Sequence, residues 1–96
     1  MYVKKHESGD RIIFAICDED LVGKKFSEGD LMLDVSEQFY KGEKKTNAEV
    51  KEILASAFNI NLVGKKTIDF ALKLGILNKD SIIFIDGVPH AQIIDV

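Results

Sequence analysis

The apolar run Arg-Ile-Ile-Phe-Ala-Ile-Cys at 11–17 constrains the fold of this 96-residue chain more than any other segment. Successive side chains of a strand point to opposite faces of a sheet. In this run both sets are apolar, Ile12, Phe14 and Ile16 on one face and Ile13, Ala15 and Cys17 on the other. A strand that is apolar on both faces is typical of a sheet interior. The run therefore predicts a central strand.

Shorter apolar patterns, separated by turn signals, indicate further strands. They are predicted at 2–6, 31–35, 81–85 and 91–96. The dipeptide Asp86-Gly87 predicts a hairpin between the last two of them. Because Pro89 cannot donate a hydrogen bond to a neighbouring strand, the final strand is predicted at an edge of the sheet. Residues 37–46 have no regular period and are predicted to form a mobile loop.

Two amphipathic helices are predicted between these strands. Thr46-Asn47-Ala48-Glu49 fits a capping box. The apolar stripe that follows at helical spacing is Val50, Ile53, Leu54, Ala57 and Phe58. Asn59 and Asn61 are expected to end this helix, and a second helix is predicted from Gly64 to Leu74. The order of elements predicts one domain over 1–96 of the α+β class, with a largely antiparallel sheet of about five strands and two helices on one face.

Composition narrows the class of protein. The chain carries 13 basic and 16 acidic residues, so its net charge of −3 does not indicate an extended electrostatic contact with nucleic acid, although a local basic patch is compatible with it. Cys17 is the only cysteine, which excludes an intramolecular disulfide. The segment 1–10 lacks the apolar core of a signal peptide, and no apolar run approaches the roughly 20 residues that cross a bilayer. These features predict a cytoplasmic protein without a cofactor.

The pentapeptide Leu-Val-Gly-Lys-Lys occurs twice, at 21–25 and at 62–66. The second copy places Gly64, Lys65 and Lys66 at the start of the second predicted helix, where backbone N–H groups and the helix dipole favour an anion. These residues are candidates for binding a phosphate of RNA or of a nucleotide. The alternative is that the lysines are solvated and that Gly64 only permits a tight turn. The segment is not a Walker P-loop, since the upstream glycine of that motif is missing.

Three other groups of residues are candidate binding residues. They are a basic patch (Lys4, Lys5, Arg11, Lys24 and Lys25), an exposed turn (Pro89, His90 and Gln92) and two aromatic interaction anchors (Phe39 and Tyr40). The turn could instead be a hairpin whose proline blunts an edge strand. His6 and His90 have no metal-ligand spacing, so no metal site is predicted. No catalytic constellation emerges from the sequence, which favours a protein that is not an enzyme.

Several segments together resemble a family of uncharacterised archaeal proteins. They are Ser-Gly-Asp-Arg at 8–11, Cys-Asp-Glu-Asp-Leu-Val-Gly-Lys at 17–24, Glu-Gly-Asp-Leu at 28–31, Val-Ser-Glu-Gln-Phe-Tyr at 35–40, Asn-Leu-Val-Gly at 61–64, Gly-Val-Pro-His-Ala-Gln at 87–92 and Met-Tyr-Val-Lys at the start. The family that the chain resembles is domain of unknown function number 424. The resemblance implies an archaeal, cytoplasmic source and a stand-alone domain, and it implies no functional residues.

The leading hypothesis from the sequence is a small binding module that contacts RNA or a ribonucleoprotein of the archaeal information-processing machinery. Phosphate contacts by the basic residues would make such binding depend on salt. Two alternatives stay open at this point. One is a protein-interaction adaptor that uses an edge strand or the 37–46 segment, and the other is a protein that binds a small anionic ligand or nucleotide at Gly64. The sequence leaves the oligomeric state open.

Overall fold

The computed structural model describes residues 1–94, and the last two residues of the strand predicted at 91–96 lie outside that range. In chain order the elements are β1 (Tyr2–Ser8), β2 (Arg11–Cys17), β3 (Lys25–Glu28), β4 (Leu31–Asp34), α1 (Glu37–Tyr40), β5 (Glu43–Lys44), α2 (Asn47–Ser56), β6 (Asn59–Val63), α3 (Lys65–Lys73), β7 (Ile83–Ile85) and β8 (Val88–Ile94). Short 3-10 turns precede β3 and β7, at Glu19–Leu21 and Lys79–Ser81.

Six strands form one mixed sheet in the order β5-β1-β2-β6-β8-β7, and β3 pairs with β4 in a separate hairpin. Neighbouring strands of the large sheet are antiparallel except β2 and β6, which run parallel with Phe14 beside Ile60 and Cys17 beside Val63. Because β2 lies between β1 and β6, the predicted central strand is confirmed. The α+β class and the largely antiparallel sheet are confirmed as well.

The strand β6 is absent from the sequence prediction, which assigned Asn59 and Asn61 to the end of the first helix. Helix α2 ends at Ser56, and the chain then alternates polar and apolar side chains, with Ile60 and Leu62 buried. Asparagine is depleted in strands, so a short segment with two asparagines favoured a helix end. Pairing with β2, which lies far away in the sequence, decides the conformation instead.

Helices α2 and α3 pack on one face of the sheet, as predicted. The core between them and the sheet consists of Val3, Ile16, Val50, Leu54, Ile60, Leu62, Ile68, Ala71, Leu77 and Ala91. The capping box at the start of α2 is confirmed, since the Thr46 hydroxyl accepts from the N–H of Glu49 at 3.2 Å and the Glu49 carboxylate accepts from the N–H of Thr46 at 3.0 Å. Apolar burial on this face holds the two helices in place.

The opposite face of the sheet is covered only in part. The β3–β4 hairpin and α1 pack over the end of β2, where Leu33, Val35 and Tyr40 bury Cys17 and Val63. Residues 37–46 are therefore not the predicted irregular loop. They contain α1, capped by Ser36, and β5, which pairs with β1. Local period does not predict such short elements because tertiary packing forms them.

The last strand, β8, does not lie at an edge, because β7 pairs with its outer side. The carbonyl oxygen of Pro89 accepts from the N–H of Gly64 at 2.9 Å. Since both backbone groups of a residue in an antiparallel strand point the same way, the missing N–H of Pro89 also faces Gly64. There the chain leaves β6 for α3, so no ladder hydrogen bond is lost. The predicted hairpin turn is confirmed, with φ of 50° at Asp86 and 78° at Gly87.

Candidate recognition surface

A buried carboxylate occupies the helix start at which the sequence predicted an anion site. Asp18 follows β2 and accepts hydrogen bonds from the N–H of Lys66 at 3.0 Å, from the N–H of Thr67 at 2.8 Å and from the Thr67 hydroxyl at 2.7 Å. A carboxylate there is favoured for the reason that an external anion would be. The interpretation of Gly64, Lys65 and Lys66 as a phosphate site is corrected accordingly, because the protein supplies its own anion.

Gly64 has a specific steric reason to be glycine. Its φ is +107°, and a Cβ at this position would lie 2.3 Å from Cγ of Asp18. The glycine of the first pentapeptide serves a different turn, since the N–H of Gly23 donates to the carbonyl oxygen of Val35 at 2.7 Å and so attaches the 3-10 turn to the end of β4. The two copies of Leu-Val-Gly-Lys-Lys are therefore not equivalent in structure.

The predicted basic residues do not form one patch. Lys4 and Lys5 lie on β1, Arg11 begins β2, and Lys24 and Lys25 follow the end of β2. The seven residues of β2 separate Arg11 from Lys24 by about 20 Å of strand. The ammonium group of Lys4 donates to the carbonyl oxygen of Gln38 at 2.6 Å. Lys5 and Arg11 line one groove, at the beginning of β2, and Lys4 and Lys5 line another beside β5.

The aromatic pair Phe39–Tyr40 does not form an exposed anchor. Tyr40 is buried, and burial raises the pKa of its hydroxyl to about 12. Phe39 is half-buried and stacks on the imidazole of His6, with ring centroids 4.4 Å apart and planes inclined by 14°. Nε2 of His6 lies 2.8 Å from the carbonyl oxygen of Phe39. These contacts attach α1 to β1, so Tyr40 is not available as an anchor and the Phe39 ring is accessible only in part.

The segment Pro89, His90 and Gln92 is exposed only at its last residue. Pro89 is buried, and His90 is half-buried, which lowers the pKa of its imidazole. Gln92 is exposed on β8, directly opposite Asn61 on β6. The exposure predicted for this segment therefore holds for the Gln92 amide, whereas Pro89 is buried and the His90 imidazole is exposed only in part.

A groove of about 700 Å³ lies at the end of the sheet where β2 begins. Three large apolar side chains on its wall are exposed, by 67% for Phe58, 57% for Ile94 and 45% for Ile12. Lys5 and Arg11 contribute positive charge to the same groove, and Asp10 contributes a negative charge. Exposed apolar side chains grouped with polar ones are typical of binding surfaces. This groove is the best candidate site on the described residues.

Sequence reasoning missed the groove because it placed Phe58 in the buried stripe of the first helix. The helix ends two residues earlier, at Ser56, and Phe58 turns outward between α2 and β6. The alternating Asn-Ile-Asn-Leu pattern at 59–62 is a signal that could have located this boundary.

The remaining chemical candidates are inert. Burial, and secondarily the neighbouring Asp18 carboxylate, raise the pKa of Cys17 to about 12, which disfavours the reactive thiolate. Within residues 1–94 no group of three His, Cys, Asp or Glu side chains is placed to hold a metal ion. The same residues contain no helix that is both long enough and apolar enough to cross a membrane.

The fold and its surface define a class of protein, a small α+β domain with a six-stranded mixed sheet, two helices on one face and a hairpin on part of the other. The chain belongs to the family described as Protein of unknown function (DUF424), whose model matches residues 6–96. This confirms the resemblance found in the sequence.

A crystal structure of an uncharacterized conserved protein from Methanopyrus kandleri is similar to this chain, with a TM-score of 0.80 and 28% sequence identity. The alignment covers 99% of this chain and 92% of that one. No curated protein matches the chain. The comparisons therefore support the family and the fold, and the function has to be argued from the surface itself.

Proposed function

We propose that this protein is a small module of the archaeal cytoplasm that binds single-stranded RNA, alone or within a ribonucleoprotein, and that the groove beside Phe58 is its contact. The observation that carries the proposal is the exposed aromatic ring at a groove that is also lined by two cations, Lys5 and Arg11, and by one carboxylate, Asp10. Unpaired bases stack on exposed aromatic rings, and cations beside the ring contact the phosphates. A free, buried Cys17 is compatible with a reducing compartment.

The charges at the groove support weak binding of modest salt dependence. Lys5 lies 3.1 Å from Glu7 and shares its charge with that carboxylate. Arg11 is exposed at the first position of β2. If these two cations neutralise two phosphates, log Kd should change with log salt with a slope of about 1.4 in magnitude, at roughly 0.7 for each contact with a single strand. A contact that also used Lys24, Lys25, Lys65 and Lys66 would give a much steeper slope.

The test is fluorescence anisotropy with a labelled RNA of about ten nucleotides, titrated at salt concentrations from about 50 to 200 mM. Phe58→Ala is expected to weaken binding about tenfold, since stacking on one ring contributes roughly 1–3 kcal/mol. Arg11→Ala should reduce the salt slope by about 0.7. Phe84→Ala is the matched control, because Phe84 is 59% exposed but lies on β7, outside the groove.

Three results would contradict the proposal. Loss of affinity in Phe84→Ala equal to that in Phe58→Ala would mean that exposed rings act without a specific site. Failure of the wild-type protein to bind any single-stranded RNA at low salt would exclude the function. A strong effect of Lys24→Glu with Lys25→Glu would relocate the phosphate contact to the opposite end of β2.

The same groove is also compatible with the adaptor alternative, because three apolar side chains rim it. A protein partner at this groove would give binding that is insensitive to salt and sensitive to Phe58→Ala.

The edge strand β7 is a poorer candidate for a protein contact, because the residues on either side of it already donate their N–H groups within the protein. The N–H of Ile82 donates to the carbonyl oxygen of Lys79, and the N–H of Asp86 donates to the Glu28 carboxylate at 2.8 Å. The small-ligand alternative loses its support because Asp18 occupies the donors at the start of α3.

A further inference from the structure

A row of carboxamide side chains crosses the part of the sheet that the β3–β4 hairpin and α1 leave uncovered. Asn61 on β6 lies directly opposite Gln92 on β8, and Asn59 lies opposite Ile94 on the same two strands. Leu62 and Ala91 point into the core under the helices. Because side chains alternate along a strand, Asn61 and Gln92 point to the other face, where Gln92 is exposed and Asn61 is half-buried.

These carboxamides keep unused hydrogen-bonding capacity. Within residues 1–94 neither Asn61 nor Gln92 forms a side-chain hydrogen bond. The Oδ1 atom of Asn59 is buried and has no hydrogen-bond partner among the same residues. A buried acceptor without a protein partner is unfavourable, and no contact among these residues offsets that cost for Asn59.

Carboxamide side chains are unusual at these positions, because of the place of the two strands in the sheet. Both β6 and β8 lie inside the sheet, where β-branched and aromatic residues are preferred and asparagine is depleted. Threonine, lysine or glutamate would also be compatible with a partly solvated face. Instead the positions carry groups that each offer one acceptor and one N–H₂ donor side by side.

We infer that Asn61 and Gln92 read the edges of unpaired bases and give the module a preference for adenine. This inference rests on the proposed RNA function. A carboxamide pairs in bidentate fashion with the adenine N6–H₂ donor and its N7 acceptor. One carboxamide also pairs with N3–H and a carbonyl oxygen of an unpaired uracil, so the selectivity requires both carboxamides on one base. Adenine offers a second donor–acceptor pair, N6–H₂ with N1, on its Watson–Crick edge. Two carboxamides with Cβ atoms about 5 Å apart can therefore engage both edges of one base.

The row is continuous with the groove of the proposed function. Asn59 lies two positions before Asn61 on β6, and Ile94 lies two positions after Gln92 on β8. Both Asn59 and Ile94 also line that groove. Much of the groove lining belongs to the helix face of the sheet, so an RNA strand that stacks one base on Phe58 would pass around this end of the sheet to place a following base over the row. The ring would then supply affinity that is independent of sequence, and the carboxamides would supply selectivity.

The test compares labelled oligoadenylate and oligouridylate of about ten nucleotides by anisotropy. The wild-type protein is expected to bind oligoadenylate about tenfold more tightly, the discrimination typical of one bidentate pair. The double variant Asn61→Ala, Gln92→Ala should lose this preference, because it should lose more affinity for oligoadenylate than for oligouridylate. Asn61→Thr with Gln92→Thr repeats the test with side chains that favour strands. Asn47→Ala, which removes an exposed carboxamide at the start of α2, is the control.

Each outcome separates the two proposals. Equal binding of both oligonucleotides by the wild-type protein, weakened by Phe58→Ala, would overturn the adenine preference and leave the RNA function in place. A preference that survives in either double variant would overturn the role of the carboxamides. Absence of binding to both oligonucleotides would exclude the function and the inference together. Thermal unfolding of each variant checks that the fold is retained. If a variant does not fold, the ratio of the two wild-type affinities still decides whether the adenine preference exists.

Discussion

The two ends of the parallel β2–β6 pair contrast with each other. Beyond the last residues of the two strands, Asp18 and Gly64 meet in a closed arrangement, in which one buried carboxylate binds the first turn of α3. Beyond the first residues, Arg11 and Phe58 lie at an open groove with exposed apolar walls. The closed end carries the motif that looked like a binding site in the sequence, whereas the open end carries no recognisable motif.

The contrast teaches that a helix start rich in glycine and lysine does not by itself indicate a ligand. The donors at such a start need an acceptor, and a carboxylate from a neighbouring strand end can provide it. An exposed aromatic ring at a groove is harder to explain by folding, because burying it would be favourable. Polar groups without a partner and exposed aromatic rings are therefore better guides to function than sequence motifs that resemble a binding site.

The largest effect is expected from Gly64→Ala at the closed end. The new Cβ would overlap the Asp18 carboxylate in a backbone conformation that side chains rarely adopt. We expect a loss of about 3 kcal/mol or more in the free energy of unfolding, measured in urea. Gly75→Ala is the matched control, since Gly75 has a φ of +75° and open space around it. Gly75→Ala should lose only about 1 kcal/mol in the free energy of unfolding. Equal losses in the two variants would mean that contact with Asp18 does not explain the effect at Gly64.

Asp18→Ala should have the next largest effect. It removes the acceptor of three hydrogen bonds and leaves the Thr67 hydroxyl buried without that partner. The expected loss is about 2–3 kcal/mol in the free energy of unfolding. Asp20→Ala, an exposed carboxylate two positions along the chain, should change stability by about 0.5 kcal/mol or less. If Asp18→Ala leaves the free energy of unfolding unchanged, water replaces the carboxylate and the hydrogen bonds of Asp18 do not stabilise the closed end.

A smaller effect is expected from alkaline pH at the same end. The pKa of Cys17 is about 12 in the folded protein against 9.0 as its ordinary value. Above pH 9.0 the unfolded thiol loses its proton before the folded one, so stability falls as pH rises towards 12. One pH unit above the ordinary value the loss should be about 1 kcal/mol. Urea unfolding of Cys17→Ala should show a shallower decline, with Tyr40 still contributing at higher pH. If the stability of Cys17→Ala declines with pH as steeply as that of the wild-type protein, the decline does not come from the Cys17 thiol.

The smallest effect on stability is expected at the open end. Phe58→Ala should change the free energy of unfolding by about 0.5 kcal/mol or less, because the ring is 67% exposed. Leu54→Ala, a buried change on the neighbouring helix, should cost about 2–5 kcal/mol. If Phe58→Ala is as costly as Leu54→Ala, the ring is part of the core and the groove is not a recognition surface.

Much of the fold could be predicted from local patterns. The central strand at 11–17, the capping box at Thr46, the second helix and the Asp86-Gly87 hairpin all follow from period and turn chemistry, which depend on residues close together in the chain. The helix α1 and the interior position of β8 could not be predicted, because each depends on a partner far away in the sequence. The strand β6 had a local signal in the alternation at 59–62, but its two asparagines favoured a helix end. The candidate site was missed for the same reason, since the end of α2 and the beginning of β2 meet only in the folded protein.

The sequence alone therefore determined the central strand, the two helices, the α+β class and the family of this protein. The first three properties are encoded in apolar period, capping residues and glycine positions, which act over a few residues. The family follows from the set of segments that resemble it, and its model matches residues 6–96. Tertiary structure decided that Asp18 would fill the helix start at Gly64 and that Phe58 would be left exposed beside Arg11. Whether a donor is satisfied or a ring is buried depends on neighbours that the chain brings together only when it folds, since hydrogen bonds and apolar burial act over contact distance.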